Sequence, residues 1–325
     1  MGSCMAKLIQ HSLHELGRAA FMDTKQIEYI LKIAEEKNIT RAAAKLFLTQ
    51  SALNQQLLKL EKELGCKLFY RSRTDWHPTE AGLVYLENAR EMLRIKRETY
   101  NKIHDIEKTK SGHLSIGFTP GRGITMFSNV YPLFHREYPN IVVEPMELSV
   151  HRQQQLISQG ALDIGFMTLQ DKDMTADSYI TLMDEEIFLA VPSLHPVCRQ
   201  AARNGAKTAT LDIRKLRYEP FVLMYRESTI RSMVDSIFKE ADIIPDVLFE
   251  TSSTEAILTM IKNNLCCGLI PGYYARKHPE GVTFFHLPSR PTWHMAACCN
   301  KDNYLSRGAR RFIELATDYW SPKGA

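Results

Sequence analysis

Ser51, Gln55 and Lys62, with Asn54 and Lys59 on either flank, share one face of a helix laid from residue 50 to residue 64 at 100° per residue. Asn and Gln carry a donor and an acceptor side by side, the pairing offered by adenine N6 and N7 in a major groove. Ser and Thr reach phosphates or either kind of base edge, and Lys meets backbone charge. The opposite face holds Leu53, Leu57, Leu60 and Leu64, a stripe spaced for burial. Thr49 stands where an N-cap is wanted and Gly65 where a left-handed end is wanted. The chemistry on offer is recognition of a nucleic acid by a helix face, with a solvated face on a plain three-helix bundle as the simpler alternative.

Such a face needs supports. A helix opening at Thr24 has apolar residues at Ile27, Ile30, Leu31 and Ala34 and stops near Asn38. Thr40 is read as the cap of a short alanine-rich helix over 41–47, which a tight turn joins to the 50–64 helix. Residues 67–71 and 73–78 read as two short strands around a turn, a basic wing holding Arg71 and Arg73. Between residues 22 and 110 there are 17 Lys and Arg against 13 Asp and Glu, whereas 111–325 is nearly balanced at 22 against 23. The basic excess therefore lies with the polar helix and suggests a polyanionic partner there.

The run Ile39-Thr-Arg-Ala-Ala-Ala-Lys-Leu-Phe-Leu-Thr-Gln-Ser-Ala-Leu-Asn-Gln-Gln-Leu resembles the winged helix-turn-helix of LysR-type transcriptional regulators. Leu60-Glu, Glu63-Leu-Gly-Cys-Lys-Leu-Phe and Thr79-Glu-Ala-Gly continue the likeness. Ser51 replaces the family's usual proline, Asn54-Gln55 its usual Ser-Arg, and Leu58 a charged residue, so no base preference is carried over. The resemblance implies a fold starting at Met22, with 1–21 an extension or tag, and a DNA-binding domain over 22–78. The residues expected at DNA are Thr40, Arg41, Thr49, Gln50, Ser51, Asn54, Gln55, Lys59, Arg71 and Arg73.

Residues 79–110 contain no Pro and no Gly after Gly82, and about 30 helical residues would span about 45 Å. Leu86, Leu93 and Tyr100 recur every seven residues, with Ala89 and Ile103 in a second seam that Lys96 interrupts. That pattern predicts a dimerisation helix, with a rigid solvated spacer as the alternative. The family likeness implies the dimer contact too, and a twofold pair of heads suits a palindromic site.

Past residue 110 strands alternate with helices. Strands are expected at 113–118, 142–148, 163–168, 187–191, 220–225, 246–250, 267–270, 283–287 and 294–299, mostly parallel, with helices at 126–138, 153–160, 228–240, 254–264 and 306–319. The order resembles the family's effector-binding region, which shares the two-lobed architecture of periplasmic solute-binding proteins. Lobe one would be 111–189 with 290–325, and lobe two 190–289. Ligands of such folds lie between lobes, at strand carboxyl ends and helix amino ends. Gly117-Phe-Thr-Pro-Gly-Arg-Gly-Ile-Thr is a glycine-rich turn in which Thr119, Gly121 and Arg122 could meet an anion, with a flexible solvent-facing turn as the alternative. Ser149, Met167, Tyr225, Arg226, Thr229 and Ser253 stand at positions resembling the family's effector contacts. Two arginines and several helix starts favour a small organic acid or other anion.

The chain of 325 residues has 44% hydrophobic and 24% charged residues, as an ordinary multidomain globular protein does, and no apolar run approaches a membrane span. Seven cysteines, two pairs of them adjacent in sequence, are not a secreted disulfide framework and point to a reducing cytoplasm. Peroxide-sensing members of the resembled family use a cysteine pair, so a thiol-based redox regulator with the same DNA head is the alternative. Cys266-Cys267 and Cys298-Cys299 sit in apolar stretches suited to burial. No Gly-x-Ser-x-Gly, His-Glu-x-x-His or spaced Cys/His cluster supports an enzyme, a metal or a cofactor. The expected fold is α/β, an all-α winged helix-turn-helix N-terminal domain ahead of a two-lobed effector domain. The expected molecule is a cytoplasmic bacterial transcription regulator, a homodimer or homotetramer without membrane contact, whose partners are double-stranded DNA, a small-molecule effector and RNA polymerase.

Overall fold

The computed structural model of the chain describes residues 23–72, 76–202, 209–277 and 280–320. It divides after Arg97 into two compact units.

In the first unit Asp23 opens α1 (Thr24–Glu36) by accepting from the Lys25 amide at 3.1 Å. Asn38, not Thr40, caps α2 (Ile39–Lys45): its Oδ1 accepts from the Thr40 and Arg41 amides at 2.9 and 3.0 Å. The expected start falls late because Lys37, at φ 48°, closes α1 and Asn38 caps the next helix directly after it. The helix also stops two residues short of the expected Phe47, which has turned to φ 55°. Thr49 caps α3 (Gln50–Leu64) through the Ala52 amide, and Gly65 closes it at φ 70°. A two-stranded wing follows, β1 (Phe69–Arg71) antiparallel to β2 (Trp76–Pro78), with Tyr70 opposite His77. Ile27, Ile30, Ile33, Leu53, Leu57, Leu60 and Phe69 form the core.

The long helix α4 (Glu80–Glu107) adds Leu86 and Ala89 to that core, and Leu93 packs against it. The seven-residue recurrence is therefore largely how α4 packs onto its own head, which corrects the seam read from Leu86 and Leu93. The apolar side chains that α4 leaves exposed include Met92, Ile95, Tyr100, Ile103 and Ile106. With exposed Thr99, the positions 92, 95, 99, 103 and 106 step by three and four residues down one stripe.

The second unit holds a mixed seven-stranded sheet whose strands run β10 (Val282–His286), β6 (Ser178–Pro192), β11 (Thr292–Cys299), β5 (Ile164–Leu169), β3 (Ser111–Phe118) and β4 (Asn140–Glu147), with β9 (Gly268–Pro271) also on β6. A parallel pair, β7 (Pro220–Met224) and β8 (Asp246–Thr251), forms a second small sheet that Phe221 bridges in parallel to Cys267, just before β9. The helices between are α5 (Arg122–Glu137), α6 (Val150–Ser158), α7 (Pro196–Ala202), α8 (Thr229–Glu240), α9 (Thr254–Lys262), α10 (Gly272–Arg276) and α11 (Arg307–Trp320). Only β3–β4, β3–β5 and β7–β8 are parallel among these pairs; β11 and β6 run antiparallel to their neighbours, so the mostly parallel sheet expected from sequence is corrected.

The expected strand at 187–191 is the second half of a fifteen-residue one. Up to Glu186 β6 pairs with β11, and from Ile187 with β9, β10 joining from Phe188. One strand thus threads two hydrophobic cores, one around Ile116, Phe118, Phe134, Phe166 and Phe312, the other around Ile187, Leu189, Phe221, Phe238 and Phe285. Helix α5 starts at Arg122, a turn before the expected 126, because Gly121 at φ 73° lets the chain turn straight into it.

Candidate nucleic-acid interface and ligand cleft

Helix α3 presents Gln50, Ser51, Gln55 and Lys59 to solvent, with Asn54 half-buried, opposite the buried Leu53, Leu57 and Leu60. Two hydroxyls at its start hold each other, Thr49 Oγ1 and Ser51 Oγ being 3.1 Å apart. Thr40 is exposed at the start of α2. Beside it the Arg41 guanidinium donates to the Glu36 carbonyl at 2.6 Å, and the Lys45 ammonium lies 2.6 Å from the Glu36 carboxylate, which holds the amine above its ordinary range.

Arg71 departs from its expected place as a free backbone anchor. It is ion-paired with the buried Glu61 and stacks over Trp76, its guanidinium carbon 5.5 Å from the ring centre. The other Glu61 oxygen accepts from the Leu68 amide at 2.9 Å, so this carboxylate ties α3 to the wing. Arg73 lies outside the described residues. Sequence reasoning passed over the exposed Gln56 on α3 and the exposed rings of Phe47 and Tyr70.

In the second unit the parallel register aligns the carboxyl ends of three strands: Phe118 stands beside Glu147 and Phe166. Thr119 follows β3, and Ser149 follows β4, capping α6 through the Arg152 amide at 3.3 Å. The Leu148 amide donates to the Phe118 carbonyl at 2.9 Å, fixing those two ends together. The β7–β8 pair brings its own carboxyl ends together, the Tyr225 amide donating to the Thr251 carbonyl at 3.0 Å. Ser228 and Ser253 cap α8 and α9 there. The two sets meet where Thr229 Oγ1 donates to the Thr168 carbonyl at 2.6 Å. Thr119, Ser149, Tyr225, Thr229 and Ser253 therefore gather around strand ends and helix starts, where backbone N–H groups favour an anion. Arg226 is exposed, 3.9 Å from the Glu250 carboxylate.

Two of the expected contacts lie elsewhere. Met167 is fully buried with Val150, Leu162, Leu169 and Ala296 under α6, because both faces of β5 are covered. Arg122 does not reach an open turn at Gly121. Its side chain is 10% exposed and pairs with the fully buried Glu185 at 2.5 Å, between the rings of Tyr273 and Trp320 at 4.9 and 5.0 Å. Glu185 also accepts from the Tyr273 amide at 2.5 Å and from Trp293 Nε1 at 2.9 Å. Sequence reasoning missed Arg231 as well, a buried cation in the apolar stripe of α8 that donates to Asp235, Glu250 and the Met224 carbonyl. A cavity of about 420 Å³ opens at the other end of β7, between Pro192, His195, Glu219, Pro220 and Leu265, away from the strand ends just described.

The described cysteines are free. Burial pushes the thiols of Cys266 to about 11 and of Cys267 and Cys298 to about 12, so all three are neutral near pH 7 and lack the nucleophilic thiolate. Cys198 and Cys299 are also raised by burial. Among the described residues no group of three or more His, Cys, Asp and Glu is placed to hold a metal ion.

Residues 24–83 match the family of bacterial regulatory helix-turn-helix proteins of the lysR family, and residues 107–321 match the LysR substrate binding domain. The uncharacterized HTH-type transcriptional regulator YwbI of Bacillus subtilis (strain 168) is 31% identical over 306 residues, covering 93% of this chain and 98% of its own. The hydrogen peroxide-inducible genes activator of Pectobacterium carotovorum is 27% identical, over 82% of this chain and 85% of its own. Among solved structures, a full-length OxyR variant of Pseudomonas aeruginosa superposes with a TM-score of 0.64 at 22% identity, covering 92% of this chain and 97% of its own. Full-length CbnR complexed with its target DNA gives 0.56 at 21% identity, over 91% and 99%.

Proposed function

The chain belongs to the LysR family of transcriptional regulators, with a DNA-binding head and an effector-binding domain, and from that premise we propose how its residues divide the work. Helix α3 reads base edges with Asn54 and Gln55, while Gln50, Ser51 and Lys59 hold the backbone. Thr40, Arg41 and Thr49 at the helix starts, and Arg73 in the wing, complete the DNA set. Arg71 acts indirectly, keeping the wing on α3 through Glu61. The observation that carries this reading is the exposed amide-and-lysine face of α3 opposite its buried leucines.

Asn54→Ala or Gln55→Ala is expected to relax sequence choice, costing about 1–3 kcal/mol on the preferred duplex. Lys59→Ala should weaken binding to every duplex and lower the salt slope by about 1. Titrations of the full chain against specific and random duplexes over a salt series check this. Equal losses on both duplexes for all three variants would refute the division into readers and anchors.

The effector is a small organic acid held at Thr119, Gly121, Ser149, Tyr225, Arg226, Thr229 and Ser253. The capped helix starts that converge there support this, with Arg226 as the nearby exposed cation. The exposed stripe of Met92, Ile95, Ile103 and Ile106 suits a dimer contact; the regulator would work in the cytoplasm, with RNA polymerase as a further partner. No helix among the described residues is long and apolar enough to cross a membrane. A thiol-sensing reading is favoured by the similarity to a hydrogen peroxide-inducible genes activator, but the thiols of Cys266, Cys267 and Cys298, neutral and buried, are poor peroxide targets.

A thermal-shift screen of the full chain against organic acids, amino acids and aromatic compounds, with reduced and peroxide-treated arms, separates the two. An effector at a hundred times its Kd should stabilise by about 2.7 kcal/mol, and Thr229→Val should diminish that shift. A shift produced by peroxide alone would transfer the signal to the cysteines.

A further inference from the structure

The turn between α2 and α3 contains a residue that folding does not explain. Phe47 is 96% exposed and sits at φ 55°, a conformation that glycine or asparagine adopts at less cost than a bulky side chain. The turn does not need the ring. Backbone bonds hold it, the Leu46 amide donating to the Ala42 and Ala43 carbonyls, the Phe47 amide to Ala44 and the Leu48 amide to Ala43. Leu46 and Leu48 on either side pack against the core of the head, while the Phe47 ring remains in water. Two residues later Thr49 caps α3, and the exposed Gln50 and Ser51 begin its polar face.

A large ring held in water at the entrance to a DNA-reading face has an apolar complement in the duplex itself. Thymine carries a 5-methyl group into the major groove, and the deoxyriboses that border the groove present C–H surface. We propose that Phe47 is a DNA contact, its ring covering thymine methyl or deoxyribose surface at the edge of the groove that α3 enters. This rests on α3 being the reading helix. It adds an apolar determinant beside the amide readers, one that removes no phosphate charge and leaves no mark in the salt dependence.

The test begins with a duplex selected by the full-length wild-type protein from a random-sequence pool. Phe47→Asn and Phe47→Gly both suit the left-handed backbone, so the head should unfold at the wild-type temperature or above it. Both should bind the selected duplex about tenfold more weakly, the weight of one ring taken out of an apolar contact, with an unchanged slope of log K against log salt. Replacing thymines by uracil one at a time then separates the two surfaces. If a uracil weakens the wild type and not the variants, the ring lies on a methyl group; if none does while the variants stay weak, it lies on sugar. Wild-type affinity in both stably folded variants overturns the proposal and leaves the α3 reading intact. Failure of the wild-type chain to select any duplex overturns that reading and this one with it.

Discussion

Glu185→Ala is expected to destabilise the second unit by about 3–5 kcal/mol, the cost of leaving one member of a buried ion pair alone. Glu185 is fully buried and receives three donors from three elements: Arg122 of α5, the Tyr273 amide of α10 and Trp293 of β11. Arg122 cannot turn to water, being 10% exposed between two rings, and its Nε and Nη2 have no acceptor among the described residues. Removing the carboxylate therefore strands a guanidinium in a low-dielectric site and orphans the indole N–H with it. Denaturant unfolding read by tryptophan fluorescence suits the measurement, because Trp293 donates to Glu185 and Trp320 stacks on its partner. The double variant Arg122→Met with Glu185→Leu should recover most of the loss, since both charges go together. A loss below about 1 kcal/mol in Glu185→Ala would mean that water reaches the pair and that it behaves as a surface bridge.

The second large effect is expected in the head. A Cβ on Gly82 would stand 2.0 Å from the Leu68 carbonyl oxygen and 3.0 Å from its carbon. Those are backbone atoms and cannot rotate away. Leu68 is also pinned, its amide to Glu61 and its carbonyl to the Thr79 amide, both at 2.9 Å. Gly82→Ala must therefore push α4 off the base of the wing, a cost of about 3 kcal/mol, at the upper end for overpacking. Duplex binding should fall with the stability of the head, while the transition of the second unit stays where it was. A variant that unfolds like the wild type would show that the helix start shifts more freely than the Leu68 anchors imply.

The parts legible in the sequence were those written locally. The leucine stripe, Thr49 and Gly65 define α3 within one stretch of chain, and its polar face follows from the same periodicity. The likeness to the family spans nearly all of 22–325, carried by a dense run of residues over 39–82 and by the order of elements beyond it. What was not legible depends on distant partners. The glycine-rich turn around Arg122 suggests an anion site, but its carboxylate lies 63 residues away on β6. The seven-residue recurrence of Leu86 and Leu93 fits a seam and a head-packing stripe equally well; only the neighbouring leucines of α3 decide. Asp184-Glu185-Glu186 interrupts any apolar alternation, so the first half of β6 does not read as a strand, and the acids are accommodated by His294, Arg122 and His286 from three other elements. Met167 misled because a strand covered on both faces gives no alternation to say which core a side chain joins.

The continuity of β6 has a mechanical meaning. The two cores of the second unit share an unbroken strand rather than a pliable loop, and beside the change of partners the Ile187 amide is held by the Pro291 carbonyl at 2.8 Å. Such a connection couples the two cores through continuous hydrogen-bonded backbone, with the three acids at its midpoint clamped from different sides.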